Sequence, residues 1–136
     1  MGFAGSIEIQ MLCWSIVLGL VQIVLAASTA TFQRGLAYNV SSRDMPPPPV
    51  GPVAARLARA SRNFLETFPF FAAAVLVIAT LGRHSDLSGI GAQLYFWARL
   101  VYVLAYAAGI AYLRTLVWAV SLVGLVLVLI AACAGG

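Results

Sequence analysis

The chain alternates long apolar stretches with short polar connections, a pattern typical of membrane helices. A helix that crosses the hydrocarbon core of a bilayer needs roughly 20 mainly apolar residues. We predict four such spans, at about 9–31, 53–81, 91–113 and 115–134. Because they use most of the 136 residues, the sequence predicts an all-α membrane protein, a four-transmembrane-helix bundle with a single domain over residues 1–136.

Polar residues mark the connections between these spans. The first connection, about 33–51, is long and holds four successive prolines at 46–49, which favour an extended strut without internal hydrogen bonds. The second, 82–89, carries Arg83 and His84. The third is almost absent, since Arg114 alone marks the break, and so short a connection predicts antiparallel neighbouring helices.

The arginines are distributed unevenly between the two ends of the spans. One end, which includes the first connection, holds most of them: Arg34, Arg43, Arg56, Arg59, Arg62 and Arg114. Arg83 marks the opposite end. Cytoplasmic ends of membrane helices carry an excess of positive residues. We therefore expect both termini on the non-cytoplasmic side.

The composition indicates that apolar side chains face lipid. The chain is 62% hydrophobic and 9% charged, with a mean hydropathy of +0.99, whereas soluble domains carry about 25% charged residues. This excludes an ordinary soluble globule, a disordered chain and a nucleic-acid module. The net charge of +4 comes from eight arginines and no lysine. Arginine suits a buried site for carboxylate or phosphate, and a GC-rich genome would produce the same bias.

Two of the predicted spans carry polar residues at helical spacing. Those of the second span fall at i, i+3, i+4 and i+7: Arg59, Arg62, Asn63 and Glu66. Those of the third span fall at i, i+3 and i+7: Arg99, Tyr102 and Tyr106. Each set lies on one helical face. Since lipid would leave their donors unpaired, we expect the two faces to meet inside the bundle.

A charge count over these faces predicts an anion site. Glu66 can neutralise one cation, either Arg99 across the helix interface or Arg62 one turn back. The remaining arginines lie near tyrosine hydroxyls and the Asn63 amide, so a carboxylate-bearing ligand or a lipid phosphate would supply the missing charge. Simpler interpretations stay open: headgroup contacts for Arg56, packing for the tyrosines, and a structural pair between Glu66 and Arg99.

Residues 59–71 read RASRNFLETFPFF. This segment resembles the signature R-A-x-x-N-x-x-E-x-F-P-x-F of the MAPEG family (membrane-associated proteins in eicosanoid and glutathione metabolism). The spacing of Arg99, Tyr102 and Tyr106 is also similar to that family. The resemblance covers nearly the whole chain and implies a bacterial-type, MAPEG-like member of the inner membrane. It also implies a four-helix protomer that assembles as a homotrimer.

The resemblance further implies glutathione bound between neighbouring protomers near the cytoplasmic surface. Carried over by position, Arg34 of the adjacent chain would contribute to the site. The other candidate ligands, with Arg62 and Arg99 added from the same polar faces, are Arg59, Arg62, Asn63, Glu66, Arg99, Tyr102 and Tyr106. Arg114 is the candidate catalytic residue, because a cation beside the sulfur lowers the thiol pKa and the thiolate is the nucleophile. The spacing from Tyr106 to Arg114 departs slightly from the eicosanoid enzymes.

Three functions are compared on this basis. The first is a glutathione-dependent membrane transferase or peroxidase that acts on a lipophilic electrophile or hydroperoxide, with glutathione and membrane lipids as partners. The second is a non-catalytic structural or accessory subunit of a membrane complex. The third, a small proton-coupled exporter, requires an isolated acid deep in the first span, and that span carries no charge. We expect no metal site and no nucleic-acid partner, since neither a metal-ligand spacing nor a phosphate loop is found.

Overall fold

A computed structural model describes residues 6–42 and 44–134; Arg43 lies outside the described residues. The described residues form four long helices, one short helix and no strand. The helices are α1 (Ile7–Arg34), α2 (Leu36–Asn39), α3 (Pro52–Leu81), α4 (Asp86–Ala108) and α5 (Ala111–Ala134). The predicted all-α fold is confirmed.

Local sequence signals fix the helix ends. The Ser6 side chain accepts a hydrogen bond from the backbone N–H of Ile9 and caps α1. Ser85 and Ser88 form a reciprocal capping box at the start of α4. Pro52 opens α3, where its missing N–H leaves no helical hydrogen bond unmade. These caps satisfy backbone groups that the helix itself cannot pair.

Three of the helices, α1, α3 and α5, are long and apolar enough to cross a membrane. They correspond to the predicted spans at 9–31, 53–81 and 115–134. The helix α4 has 23 residues, which is long enough, but it is not counted among the three. Polar side chains along it, Arg99 among them, lower its hydropathy. A fourth span remains a prediction.

The break between the last two long helices differs from the sequence prediction. The helix α4 ends at Ala108 rather than near residue 113, and α5 begins at Ala111. Gly109 ends α4 in the left-handed conformation, with φ of 79°, which a residue without a side chain adopts at little cost. Arg114 therefore lies in the first turns of α5 and not in the connection itself.

Small residues let the helices pack closely. Gly91 of α4 and Gly124 of α5 face each other, and a methyl group added to either would lie within 2.7 Å of the other's carbonyl oxygen. Gly19 of α1 is covered in the same way by the Phe64 ring of α3. Between α3 and α4, the Tyr95 ring stacks on Phe71 with the ring centres 4.1 Å apart. These contacts place α3, α4 and α5 around a common interior.

A buried carboxylate joins α1 to α4 at the end opposite the cluster of arginines. Glu8 is 2% exposed and accepts hydrogen bonds from the hydroxyl groups of Ser88 and Ser6. The His84 Nδ1 atom lies 3.3 Å from its Oε2 atom. Both helices begin near the contact between Glu8 and Ser88, so α1 and α4 run parallel from this end.

Large apolar side chains cover the outward faces of the helices. Examples are Trp14 on α1, Phe70 on α3, Leu104 on α4 and Leu116 on α5, each more than half exposed in the single chain. A soluble protein of this size rarely exposes so much contiguous apolar surface. Since α1, α3 and α5 also have the length and hydropathy of membrane spans, these faces are suited to contact with lipid.

Candidate functional site

The polar faces of α3 and α4 meet at one point near the end of α4. The Arg59 Nε atom donates a hydrogen bond to the Tyr106 hydroxyl oxygen at 3.1 Å. Tyr106 lies two residues before the end of α4, and Arg59 lies two turns into α3. The structure therefore contains part of the predicted contact between the polar faces of α3 and α4.

Two guanidinium groups lie near the Tyr106 ring. The Cζ atom of Arg114 is 4.8 Å from the ring centre, and the Cζ atom of Arg59 is 5.7 Å from it. The Tyr102 ring meets Tyr106 edge to face, with the centres 5.5 Å apart. An aromatic face attracts cations, so Tyr106 holds two arginines from different helices, α3 and α5, near each other.

A polar cavity of about 250 Å³ opens beside this cluster, between α3, α4 and α5. It is lined by Asn63, Tyr102, Tyr106, Arg114, Thr115 and Trp118. The Oδ1 atom of Asn63 is buried and has no hydrogen-bond partner among the described residues. Since a buried acceptor without a partner is costly, this atom is available to a donor group of a ligand.

A second, smaller cavity of about 100 Å³ shares two side chains with the first, those of Tyr106 and Arg114. Its other lining residues are Arg56, Arg59, Gly109 and Ile110. No carboxylate lines either cavity among the described residues. Together the two cavities offer three guanidinium groups and two phenol hydroxyls, a set of donors suited to a ligand with several negative charges.

Arg99 takes a different position from the other candidate arginines. It is 1% exposed and lines neither of the two cavities. Its Cζ atom lies 4.3 Å from the ring centre of Tyr102 and 5.6 Å from that of Phe64. Arg99 is therefore buried in the interior, in contact with Tyr102, a residue of the cavity wall.

Arg62 and Glu66 are exposed on α3. No ion pair joins Glu66 to Arg99 or Arg62, so the pairing expected from the charge count is absent from the described part of the chain. The four polar positions of α3 cover about 100° of the helix circumference. Asn63 lies at the edge that faces α4, whereas Arg62 lies at the opposite edge. The prediction that the whole face meets α4 was too broad.

Arg34 lies at the end of α1, where its Nε atom donates to the Pro48 carbonyl oxygen at 2.9 Å. The Gly51 backbone N–H also donates to the Gln33 side chain, so the long connection folds back onto α1. Within the single chain Arg34 lines neither cavity. Its contribution to a site on an adjacent chain remains a prediction.

Five lining residues were not among the site residues predicted from the sequence: Arg56, Gly109, Ile110, Thr115 and Trp118. The Arg56 guanidinium packs against Gly109, where an added methyl group would lie 3.1 Å from its Cζ atom. The spacing of Arg56, one turn before Arg59, was a usable signal. Thr115 and Trp118 follow Arg114 on α5, and the misplaced helix break concealed their position beside it.

Comparison with known families agrees with this architecture. A model of the MAPEG family matches residues 11–134, nearly the whole chain. No curated protein matches the chain. The family includes glutathione-dependent transferases and peroxidases as well as non-catalytic members. With three apolar helices of membrane-spanning length and this match over almost its full length, the chain belongs to the MAPEG family of integral membrane proteins.

Proposed function

We propose that the protein is a glutathione-dependent membrane transferase or peroxidase that acts on a lipophilic electrophile or hydroperoxide. The observation that carries this proposal is the position of Arg114. Its guanidinium lies over the Tyr106 ring and lines both cavities, and no carboxylate among the described lining residues neutralises it. A fixed cation of this kind stabilises a thiolate and so increases the reactive fraction of a thiol.

The residues around the cavities fit glutathione, which carries two carboxylates, one ammonium and one thiol. Guanidinium groups bind carboxylates through paired hydrogen bonds, and Arg56 and Arg59 lie together at the smaller cavity. The unpartnered Oδ1 atom of Asn63 can accept a hydrogen bond from an amide N–H. Arg62 and Glu66 are further candidates, with Glu66 suited to the ammonium.

When bound, glutathione supplies the sulfur nucleophile. Arg114 would hold the negative charge of the thiolate, since a guanidinium stays protonated in proteins. The hydroxyl groups of Tyr102 and Tyr106 would donate hydrogen bonds within the same cavity. Trp118 provides an apolar wall on α5 beside Arg114, where a lipophilic second substrate would approach. Fixed donors at developing negative charge are among the largest contributions to catalysis.

We further propose a homotrimer in the bacterial inner membrane, with both termini on the non-cytoplasmic side. Arg62 and Glu66 are exposed in the single chain, on a helix of membrane-spanning length. Because a charged side chain in a membrane helix avoids lipid, a neighbouring protomer would cover them. That neighbour would also supply Arg34, which reaches neither cavity of its own chain.

The test is glutathione binding to the purified protein, measured by calorimetry, with the thiolate followed by ultraviolet difference absorbance. We expect binding at millimolar or lower concentration and a thiolate signal at neutral pH. Arg114→Met should abolish the thiolate signal and lower turnover by about 100-fold, as loss of a key charge-stabilising donor does. Arg83→Met is the matched control, because Arg83 lies at the opposite end and donates to the Ala132 carbonyl oxygen.

The outcomes separate the two remaining functions. A wild-type protein that binds no glutathione at millimolar concentration would support the non-catalytic accessory role. A thiolate signal that survives in Arg114→Met would contradict the role given to Arg114. Equal loss in Arg114→Met and Arg83→Met would indicate a general effect of net charge rather than a site.

A further inference from the structure

Arg99 is buried in the interior of the bundle without a polar partner. Its side chain is 1% exposed, and none of its three nitrogen atoms, Nε, Nη1 and Nη2, has a hydrogen-bond partner. Two aromatic rings lie near its Cζ atom: the centre of the Tyr102 ring is 4.3 Å away and that of the Phe64 ring is 5.6 Å away. A buried cation without a polar partner is costly, so its presence calls for a specific role.

A direct contact with a ligand in the cavity does not fit this position. The Tyr102 side chain lines the cavity, whereas Arg99 is buried and does not. The Phe64 ring, which also covers Gly19 of α1, lies near the guanidinium as well. Tyr102 both contacts Arg99 and lines the cavity, so it connects the buried guanidinium to the site.

We propose that Arg99 is a positioning residue that acts through Tyr102. This inference rests on the proposed function, in which Tyr102 donates a hydrogen bond to bound glutathione. The guanidinium lies over the Tyr102 ring and restricts its rotation, while Tyr106 meets the ring edge to face. With two neighbours at different angles, the Tyr102 hydroxyl keeps one direction within the cavity. The entropy cost of ordering this hydroxyl group is then incurred before the ligand binds.

A purely structural role would favour a different residue. An apolar side chain of similar length fills a buried space without the cost of removing a charge from water. Arg99→Met should therefore leave the thermal stability equal to that of the wild type or raise it. Methionine lacks the positive charge and the planar guanidinium group by which arginine is attracted to an aromatic face.

The first measurement uses fluorine NMR of protein that carries fluorotyrosine at its five tyrosine positions. The Tyr102 resonance is assigned by its absence in Tyr102→Phe. We expect Arg99→Met to shift and broaden the Tyr102 resonance and Arg99→Lys to give an intermediate shift. The Tyr112 resonance, from a side chain that is 94% exposed, is the internal control and should not move. An unchanged Tyr102 resonance in Arg99→Met would overturn the proposal.

The second measurement is glutathione affinity in a double-mutant cycle of Arg99→Met and Tyr102→Phe. In the wild-type background we expect Arg99→Met to weaken binding by about fivefold, with partial rescue in Arg99→Lys. In the Tyr102→Phe background the same change should weaken binding by less than about twofold, because the hydroxyl it positions is gone. An equal effect in both backgrounds would mean that Arg99 contacts glutathione directly, and the proposal would be wrong.

The two measurements separate this inference from the proposed function. If the wild-type protein binds no glutathione, the proposed function fails, and the fluorine spectrum alone decides whether Arg99 orders Tyr102. If glutathione binds and the Tyr102 resonance does not respond to Arg99→Met, the proposed function stands and the positioning role is overturned.

Discussion

The crossing of α4 and α5 depends on two glycines that face each other. Gly91 and Gly124 lie so close that an added methyl group on Gly124 would be 2.6 Å from the Gly91 carbonyl oxygen and 2.6 Å from the Tyr95 backbone nitrogen. Both obstacles are backbone atoms of a helix, which cannot rotate away. We predict that Gly124→Ala forces the two helices apart.

The size of this effect follows from the distances. Ordinary contact begins at 3.4 Å, so the helices must separate by about 0.8 Å from the 2.6 Å approach. A gap of that size removes roughly a quarter to a half of the dispersion energy of the atoms that face it. Insertion of a methyl group into a packed interior costs up to about 3 kcal/mol. Higher helix propensity of alanine returns about 1 kcal/mol, which leaves a net loss of about 2 kcal/mol.

The assay is thermal unfolding in detergent, followed by tryptophan fluorescence. A loss of about 2 kcal/mol corresponds to a decrease in Tm of roughly 6–10 °C for a chain of this length. Gly89→Ala is the matched control, since it adds the same methyl group to α4 and gains the same propensity. There the new methyl lies 2.9 Å from one side-chain atom, Cγ2 of Ile7, and meets no backbone atom, so a shift of one side chain rather than of two helix backbones relieves the contact.

The difference in Tm between Gly124→Ala and Gly89→Ala tests the close approach of α4 and α5. We expect Gly89→Ala to lower the Tm by less than Gly124→Ala does, because only one side chain has to shift. If Gly124→Ala is as stable as Gly89→Ala, the close approach of α4 and α5 does not exist in solution.

Two further predictions concern the ends of the bundle. Glu8→Gln replaces a buried carboxylate that accepts hydrogen bonds from Ser88 and Ser6, and should cost about 1–3 kcal/mol in thermal unfolding. Asp44→Asn, at an exposed position, is its control and should cost little. Tyr106→Phe removes the hydroxyl that accepts from Arg59 but keeps the ring below Arg114; it should weaken glutathione binding by about three- to tenfold and retain the thiolate signal. Loss of the thiolate in Tyr106→Phe would show that the hydroxyl, and not Arg114 alone, stabilises the sulfur.

Hydropathy predicted the helices well where a charge or proline marks their ends. The predicted start of the second span at residue 53 agrees with the observed start of α3 at Pro52. Hydropathy gave the wrong boundary between α4 and α5, because residues 109–113 are small or apolar and hold no charge to mark a break. The conformation of Gly109 ends α4, and a glycine within an apolar run gives no unique signal of that conformation.

Helical spacing predicted the candidate site only in part. It placed Arg59, Asn63 and Glu66 on one face, and two of these three approach α4. One sequence does not indicate which edge of a face 100° wide is turned inward, so the exposure of Arg62 at one edge and the partial burial of Asn63 at the other could not be predicted. The burial of Arg99 could not be predicted either, since the spacing is the same for a residue on the cavity wall and for one behind it.

The electrostatics of the cavities link stability to binding. Arg56, Arg59 and Arg114 line one small cavity without a carboxylate among the described lining residues. The guanidinium groups of Arg56, Arg59 and Arg114 repel each other, since they are like charges around one cavity. Contacts of Arg59 and Arg114 with the Tyr106 ring offset part of this repulsion. A bound anion would relieve the repulsion directly, and its binding would stabilise the folded protein by an amount that rises with the logarithm of its concentration over its Kd. Under the proposed function, the free site is therefore less stable than the site with its anionic ligand bound.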